Sequence, residues 1–308
     1  MDNNLQAPKE TDKPNFIPPR VTGAISLMLK NKMFDHPMVK KYLEDKKAYD
    51  EEYQKFLKSL PETKEIELPE LKPIDIESLY QVFKEAYKHF RGIEFNEKLN
   101  RRAENKYGES AILARTICAY LTKNKSFYNS PILNKKCNTP DLNKGIMIIG
   151  TMGTGKTSVM KTFYDMFLFS GNNPLGVQDV EENMQYLRRY KLGFKFYTTH
   201  EVVQDYHHSA KEHQDIFWKK HKTGLSYYDD LMTEKLAFGK DELFREILET
   251  KYNNDTPVII SMNYAQKEDV ENLETTLDAY ASRYGERLYD RAFSQFNFLE
   301  LRGKSLRK

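Results

Sequence analysis

The chain has 308 residues, enough for one large domain or two ordinary ones; 39% hydrophobic residues can build a core, and 30% charged residues imply much solvated helical surface. A net charge of +3 is weakly basic, so charge alone neither demands nor excludes a nucleic-acid partner. Two cysteines, Cys118 and Cys137, lie outside any Cys-x-x-Cys or His-rich spacing, which excludes a disulfide scaffold and disfavours structural zinc; with no membrane-length apolar run and no signal-peptide pattern, the expectation is a soluble cytoplasmic protein without membrane contact.

Residues 1–20 are polar and carry Pro8, Pro14, Pro18 and Pro19, the composition of a loose leader. From Val21 to about Leu60 the pattern is helical, with Met38, Tyr42, Leu43 and Phe56 set among dense Lys and Glu. Pro61, Pro69 and Pro73 punctuate an acidic stretch that reads as a linker. The predicted division is therefore a helical N-terminal region with its linker over residues 1–73 and a main domain over 74–308. Helices are expected from Ile74 to about His89 and from Glu97 to Leu121, followed by an Asn-, Lys- and Pro-rich loop from Asn129 to Lys144.

That loop leads into the most informative stretch of the chain. Gly145–Ile149 is a short apolar strand, and Gly150-Thr151-Met152-Gly153-Thr154-Gly155-Lys156-Thr157 matches G-x-x-x-x-G-K-[ST], with a helix expected from Ser158 onward. A phosphate chain needs several backbone N–H groups converging on one concavity, which glycines permit, and the following helix N-terminus adds partial positive charge. The residues from Gly150 to Ser158 are the expected ATP-binding loop. Lys156 is expected at the β- and γ-phosphates and Thr157 on Mg²⁺.

Beyond it, strands and helices alternate as in an α/β protein. Strands are predicted at Phe194–Thr198, Leu225–Tyr228, Pro257–Asn263 and Phe298–Leu301. Helices are predicted from Thr199 or His200, over Asp241–Tyr252, and around Leu273–Leu288. The second strand ends in Asp229-Asp230. Asp229 is expected to partner Mg²⁺ through water and Asp230 to polarise an attacking water. Asn263 closes a central strand at its carboxyl end, where open α/β sheets bind ligands, and can report on the γ-phosphate. Arg287 and Arg291 share one face of a late helix; from spacing alone they read first as solubilising surface arginines, and the alternative is insertion of one of them into a neighbouring subunit's site. Lys211, Lys219, Lys220, His221 and Lys222 surround Trp218, a set that can track a nucleic-acid backbone and stack a base. The favoured alternative is a solvated helix with Phe217 and Trp218 packed inward. The histidines at 200, 207, 208 and 213 do not repeat a metal-binding spacing.

The order of glycine loop, Asp-Asp strand, Pro-flanked strand ending in Asn263, and Tyr284-Gly285-Glu286-Arg287-Leu288-Tyr289-Asp290-Arg291 resembles the DnaC/IstB-type AAA+ ATPases, and looks closest to the DnaC-like helicase loaders. The lead-in Phe95-Asn96-Glu97 and the closing Leu301-Arg302-Gly303-Lys304-Ser305-Leu306-Arg307 are also similar, so the likeness spans about residues 90–308. It implies a P-loop NTPase (AAA+) fold, a parallel sheet sandwiched by helices, preceded here by a small helical region. It also implies an ATPase acting in DNA replication. The implied partners are a replicative helicase, single-stranded DNA, and further copies of the chain when ATP is bound. Arg291 falls at the expected arginine finger, with Arg287 the second choice. Two departures stand out. Tyr227 and Tyr228 are bulkier than the aliphatic residues usual before the aspartates, and Asp230 replaces the usual Glu, which predicts slow turnover. An IstB-like transposition helper shares every motif, and a P-loop small-molecule kinase is the third reading.

Overall fold

The computed structural model describes residues 19–59, 70–97, 108–209, 214–239, 242–267 and 270–303. Most of the predicted leader and of the linker, the first part of the Glu97–Leu121 helix, Lys211 and His213 fall outside the described residues. Two compact units divide the chain, residues 1–70 and 71–308.

In the first unit the predicted helical stretch from Val21 to about Leu60 is built as two helices, α1 (Gly23–Lys30) and α2 (Pro37–Ser59). Thr22 caps α1 by accepting from the Ile25 amide at 3.4 Å, and Lys32 takes a left-handed φ of 55° in the intervening turn. Ile25 and Val39 are buried, whereas Val21, Leu27, Met33, Phe34, Met38 and Leu43 are exposed. Two helices have too little mutual surface to hide that much apolar side chain.

The second unit runs α3 (Ile76–Arg91), α4 (Glu109–Leu121), β1 (Gly145–Gly150), α5 (Lys156–Asn172), β2 (Gly176–Gln178), β3 (Met184–Tyr186), β4 (Lys195–Thr198), α6 (Thr199–His208), α7 (Gln214–Lys222), β5 (Ser226–Asp229), α8 (Leu243–Asn253), β6 (Val258–Asn263), β7 (Gln266–Lys267), β8 (Val270–Glu271), α9 (Leu273–Tyr284), α10 (Glu286–Gln295) and β9 (Phe296–Leu301). Helix starts follow local chemistry. Asp75 caps α3, Thr198 and Glu201 form a reciprocal capping box on α6, and Asn272 caps α9.

Five strands form one parallel sheet in the order β4-β5-β6-β1-β9. Side-chain alternation along β1 divides the core into two layers. Ile146 and Ile148 pack with Phe83 of α3, Ile117 of α4 and Phe163 of α5, while Met147 and Ile149 pack with Phe244 of α8, Leu277 of α9 and Ala292 of α10. Helices cover both faces, which is why β1 and β6 read as continuous apolar runs rather than alternating ones. Gly150 is required by the closeness of β9: a Cβ there would lie 2.6 Å from Leu301 Cβ and 2.8 Å from its carbonyl oxygen.

Three differences from the expected elements have local causes. The helix expected around Leu273–Leu288 breaks at Gly285, giving α9 and α10, and the last strand begins two residues early at Phe296. The β2–β3 hairpin was not expected, since each strand is only three residues long and pairs with the other alone. Among the described residues no helix is long and apolar enough to cross a membrane.

Candidate functional site

β1 delivers the chain to the carboxyl edge of the sheet, where residues 151–155 turn into the N-terminus of α5. The turn needs left-handed backbone at Gly153 (φ 83°) and Gly155 (φ 91°), a conformation costly for residues with a Cβ. Thr154 fastens the loop internally, its hydroxyl donating to the Thr151 carbonyl at 2.9 Å. Lys156, 5% exposed, donates from Nζ to Gly150 O at 2.7 Å, Thr151 O at 3.1 Å and Asn263 Oδ1 at 3.0 Å. The ammonium thus sits at the junction of β1 and β6, held by oxygens of both.

Next to it, β5 ends in the aspartate pair. Asp229 is buried and its Oδ1 accepts from Ser261 Oγ at 2.7 Å, from the Tyr227 hydroxyl and, at 3.2 Å, from Thr157 Oγ1. Tyr227 is wholly buried, and burial together with the Asp229 charge holds its phenol protonated far above the ordinary tyrosine range. A protonated phenol is a fixed donor, so it fastens the carboxylate's position. Asp230 is exposed and takes a left-handed φ of 56°. Its amide donates to Ser261 Oγ at 3.2 Å, and its carbonyl accepts from Thr199 Oγ1 at 3.0 Å and from Thr233 Oγ1 at 2.7 Å. Asn263 Nδ2 lies 3.5 Å from Asp230 Oδ1, so Asn263 spans Lys156 and Asp230.

Around these groups lies a cleft of about 630 Å³, within the range of about 300–1,000 Å³ that holds small molecules. Its floor is the loop from Met152 to Ser158 with Asp230 and Asn263, and its far wall is Tyr87, Ile93, Phe95 and Ser110. Of the predicted site residues, Lys156, Thr157, Asp230 and Asn263 line this cleft, and Asp229 is buried beside it, bonded to the Thr157 hydroxyl. Arg287 and Arg291 stand on α10, outside the cleft's lining. Arg287 is exposed; the Arg291 guanidinium lies 4.4 Å above the Tyr252 ring of α8.

Sequence reasoning missed several contributors. Tyr227 was noted only as an oddity, and Ser261 not at all, although both hold Asp229. Only the strand register, with Tyr227 opposite Ile259 and Tyr228 opposite Ile260, brings Ser261 beside Asp229. Tyr228 faces the other layer, where its hydroxyl meets His221 Nδ1 at 2.9 Å. The two bulky residues before the aspartates therefore each supply a hydroxyl to a different layer. Trp218 is half-buried, with Phe217 fully inward, while Lys219, Lys220 and Lys222 face solvent. That matches the solvated-helix reading of α7.

The sheet order, with the loop-bearing strand between the last strand and the one ending in Asn263, together with the glycine loop between β1 and α5, is that of a P-loop α/β fold. Solved structures similar to this chain include the DnaC helicase loader (20% identity over 65% of this chain and 95% of that one, TM-score 0.40) and DnaI (14%, 64% and 87%, TM-score 0.38). A third is AMPPCP-bound DnaA from Aquifex aeolicus (18%, 64% and 48%, TM-score 0.34). No family model and no curated protein matches the sequence.

Proposed function

We propose that this chain is an ATP-binding and ATP-hydrolysing AAA+ protein that acts as a DnaC-like helicase loader in DNA replication. The observation that carries the nucleotide assignment is the convergence of Lys156, Thr157, Asp230 and Asn263 in one cleft on a glycine loop, with the buried Asp229 bonded to Thr157. In this reading the amides of the loop and of the α5 N-terminus cradle the phosphates. Lys156, already at the mouth of the loop, needs only a rotamer change to exchange carbonyl partners for phosphate oxygens. Thr157 and Asp229 fit Mg²⁺: an exposed hydroxyl and a carboxylate 3.2 Å apart, the carboxylate pre-set by Tyr227 and Ser261. The metal would supply charge neutralisation on the phosphates. Asp230 accepts a proton from the attacking water, and Asn263 orients that water or senses the γ-phosphate.

The loader reading rests on the motif order and on the first unit. Exposed Leu27, Met33, Phe34 and Met38 give residues 19–59 the unsatisfied apolar surface of a partner-docking hairpin. Arg287 or Arg291 serves a neighbouring copy's site when ATP assembles the chain, and the lysines of α7 can contact single-stranded DNA. An IstB-like transposition helper would share this site and differ in its partner.

Steady-state ATPase activity across a protein concentration series, with and without single-stranded DNA, tests the proposal. Turnover should rise with both, and Lys156→Ala should abolish it. Turnover insensitive to concentration and DNA would favour a self-contained P-loop kinase, and wild-type turnover in Lys156→Ala would remove the phosphate-loop assignment.

A further inference from the structure

The loop after Asp230 is unusual in its backbone. Three of its residues that carry a Cβ, Asp230 (φ 56°), Met232 (φ 81°) and Phe238 (φ 50°), are left-handed. Such conformations persist only where surrounding contacts over-determine them. One side chain from a distant element supplies much of that constraint. Arg283, in the last turn of α9, donates from Nη1 to the Met232 carbonyl and from Nη2 to the Glu234 carbonyl at 2.7 Å. Its Nε donates to Glu242 Oε2 at 3.0 Å, and Nη2 also lies 3.0 Å from Glu234 Oε1. The Glu234 side chain is fully buried, and its Oε1 accepts a second bond from the Tyr284 hydroxyl. A planar guanidinium with forked donors can hold two carbonyls and two carboxylates together; an ammonium cannot.

We propose that Arg283 is a positioning residue for hydrolysis, holding the 230–234 loop so that the left-handed Asp230 keeps its carboxylate beside Asn263. This deepens the ATPase reading and rests on it. Arg283 does not line the cleft, so it has no contact through which to bind nucleotide. Its effect reaches the reaction through the Met232 and Glu234 carbonyls, two and four residues beyond Asp230. It also stands three residues before the start of α10, so the backbone that fixes Asp230 is bolted to the helix bearing Arg287.

The test compares ATP affinity and turnover in the full chain. Arg283→Gln should lower kcat on the order of 10- to 100-fold, the cost of a catalytic group displaced by about an ångström, while the Kd for a fluorescent ATP analogue stays within about threefold. Arg283→Lys should recover part of the loss. Turnover of Arg283→Gln within about threefold of wild type overturns the proposal, as does a parallel loss of ATP affinity. If Arg283→Gln loses its cooperative thermal transition, Glu242→Ala decides: it removes the carboxylate that orients the guanidinium at Nε and so loosens its hold on the Met232 and Glu234 carbonyls. The same split between kcat and Kd is expected, in smaller degree, and unchanged turnover overturns the proposal. A wild-type protein that binds no ATP analogue would instead remove the parent reading.

Discussion

His221 makes the stability of this protein depend on pH in a way that can be computed and then cancelled. Its side chain, at the end of α7, is 1% exposed and lies between the rings of Phe217 and Tyr197, at centroid distances of 4.5 and 4.8 Å. Nδ1 meets the Tyr228 hydroxyl, and Nε2 is buried without a hydrogen-bond partner. Burial chiefly, then the positive charges of Lys220, Lys251 and Lys195, push its pKa down to about 3. The unfolded chain, with histidine near 6.5, binds a proton that the folded chain refuses. Stability from this group is therefore fully present above about pH 7 and is lost as pH falls toward 3. At pH 5 the loss is about 2 kcal/mol. His221→Gln keeps a polar partner for Tyr228 and removes the titration, at a cost of about 1 kcal/mol near pH 8 from poorer ring packing. Urea unfolding of both proteins from pH 8 to 5 should give curves that converge on acidification and cross at about pH 6. Parallel curves would refute the reasoning, because every other titrating group is common to the two.

Tyr227→Phe deletes one of three donors to Asp229 and should cost about 1–2 kcal/mol of stability while raising several-fold the Mg²⁺ concentration for half-maximal hydrolysis, read by a Mg²⁺ titration of turnover. An unchanged Mg²⁺ requirement would mean that Ser261 and Thr157 suffice. Arg287→Ala should leave ATP affinity and melting temperature unchanged and flatten the dependence of turnover on protein concentration. Arg291→Ala should do the same to turnover and also lose about 0.5–1 kcal/mol, since its guanidinium covers Tyr252. Equal loss of ATP affinity in dilute protein would make either residue act in cis.

What the sequence revealed follows from how each part of the site is encoded. The glycine loop and the Asp-Asp strand were legible because phosphate cradling and paired carboxylates demand contiguous residues. The sheet itself was legible because its central strands β1 and β6 are buried on both faces and so read as apolar runs. Ser261 was invisible, since a serine inside a strand signals nothing until β5 and β6 are set in register. Arg283 was invisible for a similar reason: its partners, Met232, Glu234 and Glu242, lie 51, 49 and 41 residues away. The position of the break between α1 and α2 was not legible, because the apolar positions continue in helical phase across it.

The place of β1 in the sheet also sets an order of events during synthesis. Its two neighbours are β6 and β9, and Gly145 pairs with Phe296, a residue made about 150 positions later. A nascent chain released from the ribosome only as far as α10 has every residue of the glycine loop yet leaves one flank of β1 unpaired, with Ile146 and Ile148 lacking the cover of Leu299. The loop would hang from a strand at an open edge. On the proposed nucleotide-binding role, capture would then be a late event in the life of each molecule, and a pulse-labelled truncation series should show ATP retention appearing only once residues 296–301 have emerged.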